Sequence, residues 1–294
     1  TFRHDGDEVK DAMMRLRGNN SDCNDKMQFA ISFNRVNPSG RYRGVKRLNL
    51  DHGGCHLFEE RLAMSFARDV GIPAPCVTHA RLVVNGKYYG LFVSLEHQNK
   101  DFLRRNFAEA GGNLYKSGRH LKTNEDVNDT SDLKAFRAAR DLKTVASLVD
   151  LDAAVRSWAF EAVIPARDNY WVKGYNYFLY NHPTRGFLFL PNDLDQSMPT
   201  RPSIGTESTI WPSTLQHPAD VVLADSAWRE RYEAAVKEIA EAYDVETFEA
   251  RLDRWMAQVA KANDEDPHFV YSPTRLARFK EGLRARAEYL KRYR

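Results

Sequence analysis

Residues 164–198 read IPARDNYWVKGYNYFLYNHPTRGFLFLPNDLDQSM and predict a β-hairpin with polar ends. The run 176–180 is rich in strand-forming residues, and 187–190 is apolar without alternation, as in a buried strand. Asp168 precedes this hairpin, and Asp193 and Asp195 follow it directly. Any one of these aspartates fits the ordinary role of ending a strand or capping a turn. Together they also fit a Mg²⁺ site, because Mg²⁺ prefers oxygen ligands and commonly binds one or two carboxylates together with phosphates.

Composition limits the classes of protein that this chain can be. Its 294 residues, 43% of them hydrophobic, suffice for one large domain or two lobes. The net charge of +3 suits an anionic substrate such as a nucleotide. The basic residues are spread along the chain, which argues against duplex nucleic acid as the partner. Three cysteines without a CxxC pair argue against a zinc site or a disulfide framework.

The sequence indicates a soluble chain of unassigned compartment and oligomeric state. No stretch reaches the roughly 18 apolar residues that a membrane span needs. No signal peptide is visible, and we slightly favour the cytoplasm. The chain begins at Thr1, so export after removal of a signal stays open.

The first third of the chain predicts a sheet with one helix. Residues 26–33 alternate apolar and polar side chains, the pattern of a half-buried strand, and 45–50 predict another strand. Asn85-Gly86 between two strand-like runs fits the type I′ turn of a hairpin. Apolar residues at four-residue spacing over 57–70 predict the helix.

The remaining two thirds are mainly helical around the central hairpin. Helical periodicity covers 100–107 and 151–163, and three apolar stripes follow in the last quarter of the chain. Ser226 is predicted to cap the first of these three helices. Residues 117–132 are polar and are predicted to form a loop.

We therefore predict an α+β fold of the two-lobed kind. The polar passage 96–100 divides a small β-rich N-lobe with one helix, residues 1–97, from a larger and mostly helical C-lobe, residues 98–294. A cleft between two such lobes is a natural place for a ligand.

Seven short segments, in order, resemble the CotH kinase family, named for the spore-coat protein CotH. They are RLRGNNS (15–21), LNL (48–50), VNGKYYGLF (84–92) with Glu96, NLYK (113–116), Asp168, NYFLY (176–180) and PNDLD (191–195). Each is unspecific alone, whereas seven in the family's order are specific. The resemblance implies an atypical protein-kinase fold and transfer of the γ-phosphate of ATP, with Mg²⁺ or alternatively Mn²⁺, to a serine or threonine of a protein substrate. One departure is Asn192, where the family usually has tryptophan before the metal-binding aspartate.

The resemblance implies the catalytic and metal-binding residues. Asp168 would accept the proton of the substrate hydroxyl. Asn176 and Asp193 would hold the metal ion, with Asp195 close by. One base, two oxygen ligands and a cation on the phosphates are the minimum that phosphoryl transfer needs.

The resemblance also implies a nucleotide-binding set. Its members are Arg17, Asn19 and Ser21 in a phosphate-covering loop, with Lys26, Glu96 and Lys116. The phosphate-binding lysine stays open between Lys26, which matches the lysine before the family's second strand, and Lys46, which has the third-strand place of ordinary kinases. Its partner on the helix would be Glu60, or Glu59.

Other functions compete with a protein kinase. Fold does not fix function, so another ATP-driven transfer, such as AMP transfer or glutamylation, fits the same residues. A non-catalytic module that binds a nucleotide or a partner in the cleft is the alternative outside enzymes. A nuclease or glycosidase is disfavoured, because residues 193 and 195 point to opposite faces if the strand continues through them, and they converge only if it ends before them.

Overall fold

The computed structural model describes residues 1–18, 26–54, 56–166, 168–198 and 209–294. Their strands are β1 (Phe2–His4), β2 (Asp7–Val9), β3 (Met13–Arg17), β4 (Gln28–Ser32), β5 (Arg47–Asp51), β6 (Val77–Val84), β7 (Lys87–Glu96), β8 (Leu114–Lys116), β9 (His120–Leu121), β10 (Tyr177–His182) and β11 (Gly186–Pro191). Their α-helices are α1 (Glu59–Asp69), α2 (Lys100–Asn106), α3 (Ser131–Ala138), α4 (Leu142–Leu148), α5 (Leu151–Val163), α6 (Tyr170–Lys173), α7 (Ala219–Val222), α8 (Ser226–Glu241), α9 (Val245–Asp264) and α10 (Pro273–Leu290). The fold is a mixture of α and β structure, as predicted.

The first sheet is antiparallel and has the strand order β3-β4-β5-β7-β6. Its β6–β7 hairpin turns at Asn85 and Gly86, which have φ values of 51° and 78°. Both values are positive, as a type I′ turn requires, so the predicted hairpin is confirmed.

The two faces of this sheet differ in polarity. Phe29 lies opposite Leu50 in the β4–β5 register, and both pack into a small apolar core with Phe92. On the other face, Val93 and Leu95 of β7 join the main core, which includes α1. Asp51 and Asn49 lie opposite these two residues in the register. The face therefore changes from apolar under α1 to polar across β5.

The second sheet contains the predicted central hairpin. Its order is β11-β10-β8-β9, and β10 and β11 pair from Tyr177↔Pro191 to His182↔Gly186. Leu179 and Phe189 face the main core, whereas Phe178 and Leu190 face a second apolar cluster with α2. Burial on both faces explains why this part of the sequence is apolar without alternation.

Helix α5 runs to the edge of the site and is anchored at its end. Trp158 lies at its centre and is fully buried. The buried guanidinium of Arg286, from α10, donates to the carbonyl oxygens of Val163 (3.0 Å) and Ala162 (2.7 Å). These carbonyls belong to the last turn of α5, where no intrahelical donor is available. The anchor fixes the point from which the chain enters the loop with Asp168.

Two local predictions were wrong. The cap of α8 is Asp225, whose carboxylate accepts the backbone N–H groups of Ala227 (3.0 Å) and Trp228 (3.2 Å), and Ser226 is the first residue of the helix. The predicted loop 117–132 contains strand β9 and the start of α3. None of the helices in the described residues is long and apolar enough to cross a membrane.

Candidate active site

The structure brings Asp168 and Asn176 together. Asn169 caps the short helix α6 with its side chain, which accepts the N–H of Val172 (3.1 Å). Gly174 ends the helix with a φ of 70°, a left-handed conformation that glycine adopts without strain. The chain therefore doubles back, and Asn176 Nδ2 donates to Asp168 Oδ2 at 2.9 Å.

A buried carboxyl group holds α6 in place. Glu161 of α5 accepts the backbone N–H of Trp171 at 2.8 Å. Burial raises the pKa of Glu161 to about 8, so its protonated form is favoured at neutral pH. The ring of Trp158 stacks on the rings of Tyr170 and Trp171. Glu161 was not predicted as a site residue, and the only hint is a carboxylate within an otherwise apolar helix segment.

Asp193 lies close to this pair. The backbone N–H of Asn192 donates to the carbonyl of Asn176 at 3.2 Å, which joins the end of β11 to the start of β10. Asp193 follows with a φ of 56°. Burial raises the pKa of Asp168, and the negative charge of Asp193 raises it further. Asp168, Asn176 and Asp193 thus occupy one region.

Further carboxylates surround Asp193. Burial, with the charge of Asp193 as the next cause, raises the pKa of Asp195 to about 7. Burial also raises the pKa of Asp51 to about 6, against the opposing charge of Arg17, and Asp193 adds to the rise. The pKa of Glu60 is raised well above its ordinary value by burial and then by the same group of aspartates. Within the part of the chain that the structure describes, Glu60 Oε1 is buried and has no hydrogen-bond partner. These carboxylates repel one another, and a cation between them would relieve the repulsion.

The donor chemistry of this region fits a hard divalent cation. Carboxylate and amide oxygens are the ligands that Mg²⁺ prefers, and Asn176 keeps its Oδ1 for a metal while its Nδ2 binds Asp168. Among the described residues, no group of three or more His, Cys, Asp or Glu side chains is close enough to hold a metal ion. In nucleotide sites, phosphate oxygens and water commonly complete a Mg²⁺ shell that contains one or two carboxylates.

Arg17 and Lys116 bring positive charge to these carboxylates. Arg17 Nη1 forms an ion pair with Asp51 Oδ1, and the two side chains are 24% and 17% exposed. Lys116 of β8 is also close enough to lower the pKa of Asp51. Burial lowers the pKa of His97 to about 4, and the charges of Arg47, Arg17 and Lys116 lower it further. The region therefore combines a cluster of carboxylates with a cluster of cations.

Neither candidate for the phosphate-binding lysine, Lys26 or Lys46, forms an ion pair with Glu60. Lys26 Nζ donates to Asp266 Oδ2 at 2.8 Å and to the Leu91 carbonyl at 2.6 Å, and its side chain is buried.

Lys46 is half-buried, one residue before β5, and forms no ion pair within the described residues. Strand alternation places Lys46 on the face opposite to Arg47 and Asp51. The structure thus does not form the Lys–Glu pair that the family resemblance implies.

The other predicted positions have distinct surroundings. Glu59 accepts the N–H of Phe58 (3.0 Å) and pairs with His56 (3.5 Å). Glu96 accepts Nε of Arg105 and the backbone N–H of Cys76, each at 3.0 Å, so its carboxylate joins the end of β7 to α2. Asn19 and Ser21 lie outside the described residues.

A cavity of about 640 Å³ lies elsewhere, between α5, β11 and α8. None of the predicted site residues that the structure describes lines it. The carboxylates and cations described above form a different region, and we take that region as the candidate site.

One comparison with known proteins identifies the family of this chain. An Asp–Asn pair with neighbouring carboxylates and cations is the set of groups that kinase-type phosphotransferases use. The chain belongs to the CotH kinase family, since the family described as CotH kinase protein matches residues 14–294. The resemblance seen in the sequence is therefore confirmed over nearly the whole chain.

Two further comparisons add little. A chain of the Shewanella oneidensis MR-1 toxin–antitoxin complex of HipA, HipB and its operator DNA is similar at 15% identity and a TM-score of 0.43, covering 99% of this chain and 67% of that one. A likeness so distant carries no argument about function. No curated protein matches the chain significantly.

Proposed function

We propose that this chain is an ATP- and Mg²⁺-dependent atypical protein kinase that phosphorylates a serine or threonine of a protein substrate. Membership of the CotH kinase family supports kinase-type phosphoryl transfer. The observation that carries the assignment of residues is the 2.9 Å hydrogen bond from Asn176 to Asp168, beside Asp193. The proposed lobes are residues 1–97 and 98–294, with the nucleotide between them.

Asp168 is the proposed general base. Because its pKa is raised, Asp168 accepts a proton from a substrate hydroxyl more readily than an ordinary aspartate does. The hydrogen bond from Asn176 fixes the orientation of its carboxylate. Asn176 and Asp193 would hold Mg²⁺, or alternatively Mn²⁺, with Asp195 next to them. When bound, the metal ion neutralises charge on the phosphates and on these carboxylates.

The nucleotide phosphates would lie against the cations. Arg17 and Lys116 are already beside the carboxylates. Lys26 and Lys46 are the other lysines that the resemblance implies; Lys26 is bound to Asp266 and to the Leu91 carbonyl. Glu96, at the end of β7, would border the nucleotide near the junction of the lobes.

Intact-mass spectrometry tests this function. The protein is incubated with Mg²⁺ and ATP, alone and with a serine-rich basic peptide. We expect a mass gain of one phosphate that is absent in Asp193→Ala. The matched control is Asp152→Ala, which removes an aspartate that is 77% exposed and lines the separate cavity, and it should react like the wild type.

Each other outcome contradicts the proposal in a defined way. A gain that matches AMP or glutamate would keep the site and replace the reaction. No gain, with no stabilisation by nucleotide, would favour a binding module. Wild-type turnover of Asp193→Ala would remove Asp193 from the metal site.

A further inference from the structure

We infer that Arg17 and Asp51 form the pair that presents a positive charge to the nucleotide phosphates, with Asp51 as the positioning residue. In ordinary protein kinases a strand lysine and a helix glutamate serve this purpose. The inference rests on the proposed kinase function and names the residues of that site that carry it out.

The sheet places the two side chains on one face. Arg17 lies opposite Gln28 in the β3–β4 register. Because Phe29 pairs with Leu50, Gln28 and Asp51 occupy the next step of the β4–β5 register and share the second face. Arg17 therefore reaches across β4 to Asp51. This is the polar part of the face whose apolar part packs under α1.

Asp51 connects Arg17 to the proposed metal-binding residues. It forms an ion pair with the guanidinium of Arg17, and it is also near enough to Asp193 to feel its charge. The guanidinium presents five N–H donors in a rigid fork, so one bound carboxylate leaves donors for a phosphate. An arginine also stays charged beside carboxylates and in a partly buried place.

Lys26 is held by a different set of partners. Asp266 Oδ2 accepts both Lys26 Nζ (2.8 Å) and the backbone N–H of Leu91 (2.7 Å), while its Oδ1 accepts the N–H of His268 (2.9 Å). Gly90 has a φ of 152°, and a Cβ there would lie 3.0 Å from Lys26 Cδ and 3.1 Å from Asp266 Oδ2. These close contacts show that Lys26 joins the first sheet to the segment between α9 and α10.

Glu60, the helix glutamate, does not form the ion pair with a lysine that ordinary kinases have. Its Oε1 has no hydrogen-bond partner in the described residues, and its charged neighbours are Asp193, Asp51 and Asp195, with Arg17 as the cation. Glu60 thus belongs with the carboxylates, and Asp51 occupies the position beside the cation that a helix glutamate would have.

The test compares phosphate-dependent with phosphate-independent binding. Titration calorimetry measures Mg²⁺–ATP and adenosine with wild type, Arg17→Met, Arg17→Lys and Asp51→Asn. We expect Arg17→Met to weaken ATP binding by roughly 10- to 100-fold, the usual scale for a hydrogen bond to a charged group, and to leave adenosine binding unchanged. Arg17→Lys should recover part of the loss, because it keeps the charge without the fork.

Asp51→Asn separates positioning from repulsion. If Asp51 positions Arg17, the variant raises KM for ATP several-fold and leaves kcat at saturating ATP nearly unchanged. If Asp51 merely repels the phosphates, the variant strengthens ATP binding, which would overturn its assigned role. Arg15→Met is the matched control, since Arg15 is exposed on the same strand and face, and it should bind ATP like the wild type.

Failure of the inference differs from failure of the proposed function. If Lys26→Met or Lys46→Met loses ATP affinity and Arg17→Met does not, the inference is overturned while the kinase stands. If wild-type protein binds neither ATP nor adenosine and transfers no phosphate, the proposed function falls with it.

Discussion

Replacing Glu161 by glutamine should remove a large part of the pH dependence of stability. The side chain of Glu161 is 5% exposed and accepts the N–H of Trp171. Burial raises its pKa from 4.5 to about 8, although this hydrogen bond opposes the rise. A glutamine has nearly the same shape and its carbonyl can accept the same N–H, but it does not titrate.

The pKa values set the sign and the size of the effect. Below pH 4.5 the folded and unfolded chains both carry the proton, so the carboxyl group costs nothing. Between pH 4.5 and about 8 only the folded chain retains it, and the free energy of unfolding falls by about 1.36 kcal/mol per pH unit. The total loss is on the order of 5 kcal/mol by pH 8.

Urea unfolding at pH 4.5, 6, 7 and 8.5 measures this difference. The unfolding free energy of Glu161→Gln minus that of wild type should grow with pH by on the order of 5 kcal/mol. Any cost of the buried amide is the same at every pH and does not alter this growth. The control Glu125→Gln changes an exposed glutamate and should show no growth. A difference that stays constant over this range would refute the reasoning.

Three more changes have defined outcomes. Asp168→Asn should slow phosphoryl transfer by roughly 10²- to 10⁴-fold in steady-state assays while titration calorimetry shows intact ATP binding, and loss of binding would make its role structural. Lys26→Met leaves the carboxylate of Asp266 buried without its cation. The free energy of unfolding should therefore fall by about 3–5 kcal/mol, and Tm should fall by roughly 5–8 °C. An unchanged Tm in calorimetry would contradict the burial argument. Asp225→Ala should cost about 1 kcal/mol by removing the α8 cap, measured by urea unfolding against Ser226→Ala, which should change stability by less than about 0.5 kcal/mol.

Local patterns in the sequence predicted most of the structure around the site. The bounds of α5 are the predicted 151–163, because its apolar spacing and its neighbouring residues are contained in a short window. The central hairpin and the turn at Asn85-Gly86 follow from equally local features. Asp168 and Asn176 are eight positions apart, and the short helix α6 that brings them together was not predicted.

Pairings between distant segments could not be read from the sequence. Nothing near Lys26 indicates Asp266, because the ion pair depends on how α9 packs against β7. The Arg17–Asp51 pair depends on the register of two strand pairs. Glu161 sits in a helix whose pattern indicates only a core face, so its contact with α6 appears only in three dimensions.

The Lys26–Asp266 pair also has a consequence for synthesis on the ribosome. Its two residues are 240 positions apart, and Arg81 of the same sheet pairs with the adjacent Glu265. At translation rates of about 5–20 residues per second, Lys26 emerges on the order of ten to fifty seconds before its partner is made. During that time the five-stranded sheet lacks the carboxylate of Asp266. Nascent chains halted before residue 266 should therefore be cut by protease within the first sheet, and chains extended beyond α10 should resist.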